Sequence, residues 1–187
     1  MSTTATSPRF VAARRDPWRT VGGDDGPHVS ITPASHRLLT LAQWHAARAT
    51  WPHDVPVGVI VPNDVDVESL EADLPRLALV ALEFPKWTDG RAYSQARLLR
   101  VRLRYAGEVR ATGEVLADMA PLLARTGFDA ILLRPDQSED TARGALSFFT
   151  GHYQGDVRDP QPLFAKPAAA VDALALAPDF VAEGDGI

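Results

Sequence analysis

Four apolar runs, separated by segments with helical spacing, constrain the fold of this chain more than any other feature of its sequence. They are VPVGVIVP (55–62), LALVALEFP (77–85), EVRATGEV (108–115) and FDAILLRP (128–135). Runs of this length between turn residues are typical of strands buried on both faces, although the third is less apolar than the others. The spacing of apolar residues around the runs predicts helices, which we place at 67–77, 94–105, 116–127 and 138–153.

This alternation predicts an α/β fold whose mainly parallel sheet has about four strands. We expect an open layered sheet, and half of a (β/α) barrel is the alternative. The polar, turn-rich start predicts a flexible leader at 1–30, followed by a single α/β domain at 31–155. The Pro/Ala-rich tail at 156–187 is expected to be mostly disordered, apart from one weak helix near 168–177. A further short helical pattern covers 38–47.

Composition excludes several classes of protein. The 187 residues carry a formal net charge of −5, which argues against general nucleic-acid binding because that function requires a basic surface. The sequence has no cysteine, so disulfides, thiolate nucleophiles and cysteine-ligated zinc or iron–sulfur centres are excluded. The five histidines show neither an HExxH motif nor a close pair. We therefore expect no metal site, and we assign no cofactor.

The sequence also bears on where the protein works. No apolar run approaches the roughly 20 residues that a membrane-spanning helix requires. The first residues lack the apolar centre of a secretory signal. We therefore expect a cytoplasmic, soluble protein without a membrane partner.

The loops after the predicted strands are the candidate sites, because ligands of parallel sheets bind beyond the carboxyl ends of the strands. This rule nominates the loops at 62–64, 86–91, 113–114 and 134–136. The loop at 86–91 is the longest and the most polar of them. It is the loop most suited to an anion.

Its chemistry predicts an anion site for three reasons. The Asp89-Gly90 pair permits a tight turn, the following helix presents free N–H groups and a positive dipole end, and Lys86 and Arg91 add charge. The candidate anion-binding residues are Lys86, Gly90, Arg91, Tyr93, Ser94 and Arg97, with Ser94 placed to cap the helix. Any strand–helix join needs similar turn chemistry, so a purely structural role is the alternative.

Two carboxylates are candidate catalytic residues. Asp89 lies in the polar loop, and Glu114 ends the third predicted strand. Either could act as the base of a small enzyme on an anionic metabolite, provided that both converge with Arg91 on one pocket. The sequence has no GxGxxG or GxxxxGK[ST] loop and no GxSxG elbow, so a standard nucleotide loop and a hydrolase triad are not expected.

The helix predicted after the polar loop carries a run of arginines. On a helical wheel Arg97, Arg100 and Arg104 share one face, and Leu99 and Leu103 lie on another. Such a face is commonly just solvated. In an acidic protein it is also a local field of opposite sign, so we assign Arg100 and Arg104 to docking of an acidic partner.

Three segments of this part of the chain resemble a bacterial family catalogued as a domain of unknown function, number 934. They are FPKWTDGRAYSQARLLR (84–100), GEVRATGEVLAD (107–118) and LARTGFDA (123–130). The positions that fit the family pattern are Asp89, Gly90, Arg91, Tyr93, Ser94, Ala96, Leu99, Arg100, Gly107, Glu108, Arg110, Ala111, Gly113, Val115, Asp118, Gly127, Phe128 and Asp129. Upstream, DPW (16–18) and LAQWHA (41–46) resemble weaker elements of the family.

The resemblance is incomplete at four positions. Ala92 replaces an expected Gly, Trp87 a common Phe, and Met119 a common Gln. Thr126 stands where relatives often carry Cys, so this chain has no thiol for redox chemistry there.

Members of this family are described as oxidoreductases with an inferred role in sulfite reduction. The resemblance therefore implies an accessory protein of assimilatory sulfite or sulfate reduction, in an oxidoreductase-associated role. It would bind a small oxyanion or a partner such as sulfite reductase. Because the chain has no cysteine to ligate a cluster or a haem, it cannot be the catalytic haemoprotein itself.

Overall fold

A computed structural model describes residues 7–21, 31–148 and 152–167. Within them, seven parallel strands form one sheet in the order β1–β7–β6–β5–β4–β3–β2. The strands are Arg9–Phe10 (β1), Arg19–Thr20 (β2), Arg37–Thr40 (β3), Val57–Val61 (β4), Leu77–Phe84 (β5), Glu108–Gly113 (β6) and Ala130–Ile131 (β7). The α-helices are Leu41–Ala47 (α1), Arg91–Arg97 (α2), Ala120–Thr126 (α3) and Glu139–Ser147 (α4), and a π-turn, Leu98–Arg102, continues α2.

The structure confirms the α/β fold and shows how the sheet is wound. Strands β3 to β7 follow one another across the sheet in chain order. A doubly wound sheet would reverse its order at a switch point, whereas half of a (β/α) barrel does not. The half-barrel alternative is therefore the observed one, with more strands than we predicted.

The two faces of the sheet have different coverings. Side chains on the outer face, among them Val59, Val80 and Leu82, form the main core with residues of α2 to α4. On the inner face, Leu38, Leu79 and Ala81 form a smaller cluster with Trp18 and Ile60. Because successive residues of a strand point to opposite faces, the register of β4, β5 and β6 keeps the two sets apart.

Residues 7–21, which we expected to be part of a flexible leader, cover the inner face. Strand β1 pairs with β7 at one edge of the sheet, and β2 pairs with β3 at the other. Residues 11–18, here called the strap, cross between them. The prediction missed these strands because a two-residue strand is too short to show an alternating pattern.

Two predicted helical segments differ from the elements observed. The first residues of the helical pattern at 38–47 belong to β3, and Thr40 then caps α1 through a reciprocal capping box with Gln43. Two 3-10 turns, Val67–Leu70 and Leu74–Arg76, replace the helix at 67–77, where Pro75 lacks the N–H that a longer helix needs.

The last strand and the last helix of the predicted domain are both shorter than expected. Strand β7 has two residues rather than eight, and α4 ends at Ser147. Helix α3 ends as predicted at Gly127, which adopts the left-handed conformation with φ 104°.

Part of the tail that we expected to be disordered packs against α3. The Val157 amide donates to the Arg125 carbonyl, and the Arg158 guanidinium donates to the carbonyls of Ala124 and Phe128. These bonds satisfy carbonyls that the end of a helix leaves free. Residues 168–187, including the helix predicted near 168–177, lie outside the described residues. No helix in the described ranges is long and apolar enough to span a bilayer.

Candidate functional site

The polar loop after β5 lies at the carboxyl edge of the sheet, as predicted, but two of its charged residues, Asp89 and Arg91, pair with each other. Asp89 and Arg91 form two parallel hydrogen bonds, Nε to Oδ1 at 3.0 Å and Nη2 to Oδ2 at 2.7 Å. The Arg91 backbone N–H also donates to Oδ1. The Asp89 carboxylate thus occupies the guanidinium that we predicted would hold an external anion.

This pairing changes the acid–base character of Asp89. Hydrogen bonds from the Arg91 side chain and backbone hold the pKa of Asp89 far below its usual range. A base with so low a pKa is weak at neutral pH, because catalysis is most efficient when the pKa lies near the working pH. Asp89 is therefore poorly suited to the catalytic role that we considered.

Glu114, the second catalytic candidate, faces another part of the edge. Its carboxylate accepts a 2.8 Å hydrogen bond from Nη1 of Arg134, in the loop after β7. The same guanidinium donates through Nε and Nη2 to Asp136 at 2.6 and 2.7 Å. These bonds lower the pKa of Asp136 to about 2 and raise the pKa of Arg134. Glu114 therefore belongs to an ion-pair network with Arg134 and Asp136.

The two carboxylates pair with different arginines. Asp89 pairs with Arg91 in its own loop, and the side chain of Asn63, after β4, also helps to lower the pKa of Asp89. Glu114 pairs with Arg134, in the loop after β7. The convergence of Asp89, Arg91 and Glu114 on one pocket, which the enzyme hypothesis requires, stays a prediction.

A cavity lies at the same edge of the sheet, beside β7 and β1. It has a volume of about 240 Å³ and is lined by the start of the strap, by residues 131–135 and by the approach to α4. Arg134 borders it, whereas neither Asp89 nor Glu114 does. In the part of the chain that the structure describes, no group of three or more His, Asp or Glu side chains is placed to hold a metal ion.

The other predicted anion-binding residues have separate positions. Gly90, not Ser94, is the residue before the first turn of α2, and Ser94 is an exposed residue inside the helix. Lys86 and Arg97 are exposed, and no ion pair joins them to the described residues. The predicted set is therefore spread over a loop and a helix face rather than gathered round one point.

Tyr93 belongs to an aromatic cluster. Its ring lies 5.1 Å from that of Phe84 and 6.4 Å from that of Phe128, in edge-on contacts. Burial, and then the negative charge of Asp118, raise the pKa of Tyr93 to about 12. This half-buried residue contributes to packing between α2 and the sheet.

Stability is expected to fall as the pH rises from about 10 toward about 12, because unfolded Tyr93 ionises near its ordinary pKa while folded Tyr93 stays protonated. In that window the unfolded state binds fewer protons than the folded one, so the free energy of unfolding declines. Urea unfolding at several alkaline pH values measures this slope. Tyr93→Phe should reduce it, and the exposed Tyr153 supplies the matched control, Tyr153→Phe. Equal slopes in the two variants would contradict the assignment.

The arginine face of α2 differs from the helical wheel at one position. Arg100 is half-buried and donates to the carbonyls of Tyr105, Gly107 and Gly127 and to the Asp129 carboxylate. It therefore cannot dock a partner as predicted. The π-turn explains the error, because its i→i+5 bonds break the 3.6-residue period on which the wheel depends.

Three exposed residues near the end of α2 remain candidates for docking. Arg97 ends α2, Val101 lies in the π-turn and Arg104 follows it, and we call these three residues the arginine stripe. Neither arginine has an ion pair with the described residues, whereas the neighbouring Arg102 pairs with Glu68 at 2.7 Å. The docking role of Arg104 thus stays a prediction.

Sequence reasoning missed a buried network on the inner face. Arg110, in the middle of β6, is 1% exposed and pairs with Asp16 of the strap and with Glu108. GEVRA, which contains Glu108 and Arg110, resembles the family pattern, and DPW, which contains Asp16, resembles one of its weaker elements. Without the topology, nothing in the spacing indicated that they meet.

Fold and site together define a half-barrel α/β protein in which Asp89, Glu114 and Asp136 at the carboxyl edge pair with arginines of the same edge. A family model described as a bacterial protein of unknown function (DUF934) matches residues 58–164. The chain belongs to this family. The match contains β4 to β7 and α2 to α4 and leaves out the strap. No curated protein matches the chain.

Proposed function

We propose that this chain is an accessory protein of assimilatory sulfite reduction that binds an acidic surface of a reductase partner. The observation that carries the docking role is the arginine stripe, in which Arg97 and Arg104 are exposed without an ion pair to the described residues and Val101 is 57% exposed. The protein has a net charge of −5, so the stripe is a local field opposite in sign to the whole. The link to sulfite reduction rests on the family resemblance of the sequence.

Partner binding has more support than catalysis or free oxyanion binding at this edge. The two candidate bases are each paired with a different arginine, and neither borders the cavity. An oxyanion at Arg91 would first have to displace Asp89, at the cost of two charge-assisted hydrogen bonds. The alternative, a small enzyme with Asp89 or Glu114 as its base, has no comparable observation in its favour.

Binding of the immobilised chain to purified sulfite reductase from the same bacterium tests this proposal. The double substitution Arg97→Ser and Arg104→Ser should lower the association rate about tenfold at low ionic strength, because rim charges act mainly on the encounter step. The difference should shrink as salt is added.

A matched control removes the same charge elsewhere. Arg14 and Arg15 are exposed on the strap, so Arg14→Ser with Arg15→Ser should leave the rate within about twofold. If wild type does not bind the reductase, or if both double variants lose the same affinity, the docking proposal is wrong.

A further inference from the structure

Arg110 lies at the centre of the inner face, where a buried guanidinium requires a specific reason. Its register partners are Ala81 and Ala130, and its neighbours Val109 and Ala111 point to the opposite, outer core. A buried charge is costly unless its hydrogen bonds are completed. The contacts of Arg110 therefore show what kind of group the inner face accepts.

The guanidinium of Arg110 is only partly occupied. Glu108 Oε1 accepts from Nε at 2.8 Å, and Asp16 Oδ2 accepts from Nη1 at 2.5 Å. Nη2 lies 2.7 Å from Glu108 Oε1 but makes no hydrogen bond to the described residues, because the N–H bonds do not point at that oxygen. Asp16 contacts the guanidinium through Oδ2 alone, and its Oδ1 accepts from the Trp18 amide instead. A carboxylate free of the strap could span Nη1 and Nη2 together, which is the geometry that a guanidinium favours.

Charge also favours an anion at this position. Glu108 is balanced by Arg9, whose Nη2 lies 2.8 Å from Oε2. Arg9, Glu108, Arg110 and Asp16 thus form one connected set of ion pairs with two positive and two negative charges. Removing Asp16 leaves this set with one excess positive charge, and a small carboxylate in its place would restore the balance.

The strap is attached to the sheet mainly at its two ends. Backbone bonds join Val11 to Ile131 at one end and Arg19 to His36 at the other. Between them, the hydrogen bond from the strap to the sheet in the described residues is that of Asp16, and Trp18 packs beside Gly58. The cavity of about 240 Å³ adjoins the first half of the strap at Val11 and Ala13, where contact with the rest of the protein is incomplete. A segment held in this way can lift without disturbing the main core.

We propose that the Arg110 guanidinium is a binding site for a small carboxylate, which the chain fills with its own Asp16 and which a free carboxylate enters when the strap lifts. The site lies on the opposite face of the sheet from α2 and does not depend on the arginine stripe. A failure of the docking proposal would therefore leave the carboxylate-site proposal unaffected.

Chemical rescue of the full chain tests the site. Asp16→Ala removes the carboxylate and keeps the β-carbon as a methyl group, and acetate returns a carboxylate to Arg110. The melting temperature of this variant should rise saturably with sodium acetate at constant ionic strength and recover at least half of its loss. Sodium chloride should have no such effect. If acetate stabilises the variant no more than chloride does, the proposal is overturned.

Three further variants test whether the rescue depends on Arg110 and on the position of Asp16. Adding Arg110→Met to Asp16→Ala should abolish the rescue. Asp73→Ala is the matched control, because Asp73 is also buried but its partner Arg48 is 47% exposed and can be solvated by water. Rescue of that variant to the same degree would overturn the proposal. Should Asp16→Ala not fold, Asp16→Asn keeps the side-chain volume, and the same saturable response to acetate is expected.

Amide exchange in the wild-type chain tests whether the strap lifts. At saturating acetate the amides of Val11 and Arg19, which bond to the sheet edges, should exchange several-fold faster than in chloride. The Val80 amide, in the middle of β5, is the internal control and should not change. Unchanged exchange at both strap amides would overturn displacement of Asp16 by the ligand.

Discussion

Arg110→Ala is expected to lower the free energy of unfolding by about 3–5 kcal/mol, the range for breaking a buried ion pair from one side. The substitution leaves the Asp16 carboxylate buried without its guanidinium and deprives Glu108 of one of its two arginines. It also opens a void beneath the strap. Urea unfolding, followed by circular dichroism, measures the loss.

The control for this prediction is Arg9→Ala. Arg9 pairs with the same Glu108, but its side chain is 54% exposed, so the change should cost about 0.5 kcal/mol or less. A similar small loss for Arg110→Ala would mean that the inner-face network contributes little to stability. Arg110→Met should cost less than Arg110→Ala, because its side chain fills more of the void.

Arg100→Ala is expected to cost about 3 kcal/mol, because several charge-assisted hydrogen bonds are lost and part-buried carbonyls keep no donor. The guanidinium joins three separate stretches of chain: the turn after the π-turn at Tyr105, the approach to β6 at Gly107, and the end of α3 at Gly127. It also pairs with Asp129 and lies 5.7 Å from the Tyr105 ring. Chemical unfolding at neutral pH gives the measurement.

Arg97→Ala is the matched comparison, since it removes an exposed arginine one turn earlier on the same helix. Its effect should stay within about 0.5 kcal/mol. If both substitutions cost equally little, Arg100 would be a surface residue after all, and the helical-wheel assignment to docking would regain support. This is also why the docking experiment substitutes Arg97 and Arg104, whose loss should not unfold the protein.

The ion pairs at the carboxyl edge show that a match to the family pattern can reflect structure rather than catalysis. The residues that resemble its pattern most closely, such as Asp89, Arg91 and Tyr93, make contacts within the loop and the core. A family pattern therefore does not identify a catalytic site by itself, because structural ion pairs and turns can be as strongly patterned as active sites. Glu108 and Arg110 are a further example, since the same pattern contains a buried network on the other face.

Much of the local structure was predictable because it depends on short-range signals. The apolar runs identified β4, β5 and β6 because buried strands need consecutive apolar residues. Gly127 marked the end of α3 because a left-handed residue there favours glycine. The strands β1, β2 and β7 were missed or overextended, since their two-residue pairings depend on neighbours far away in the chain.

The location of the candidate site was predictable, but the ion pairs within it were not. The rule for parallel sheets located the loops after β5, β6 and β7 correctly at one edge. It could not show that Arg91 turns to Asp89 or that Glu114 turns to Arg134. Each side chain has several residues of opposite charge nearby, and their spacing along the chain does not show which of them it pairs with.

By itself, then, the sequence determined the α/β class, the absence of thiol chemistry and the resemblance to the family that the comparison confirms. These follow from composition, periodicity and motif, which are properties of neighbouring residues. Only the tertiary structure decided that the sheet winds in one direction, that residues 7–21 cross its inner face, and that Arg100 and Arg110 are internal. The physical reason is that a charged side chain takes the partner that folding brings near, and Asp16 lies 94 positions from Arg110 in the chain.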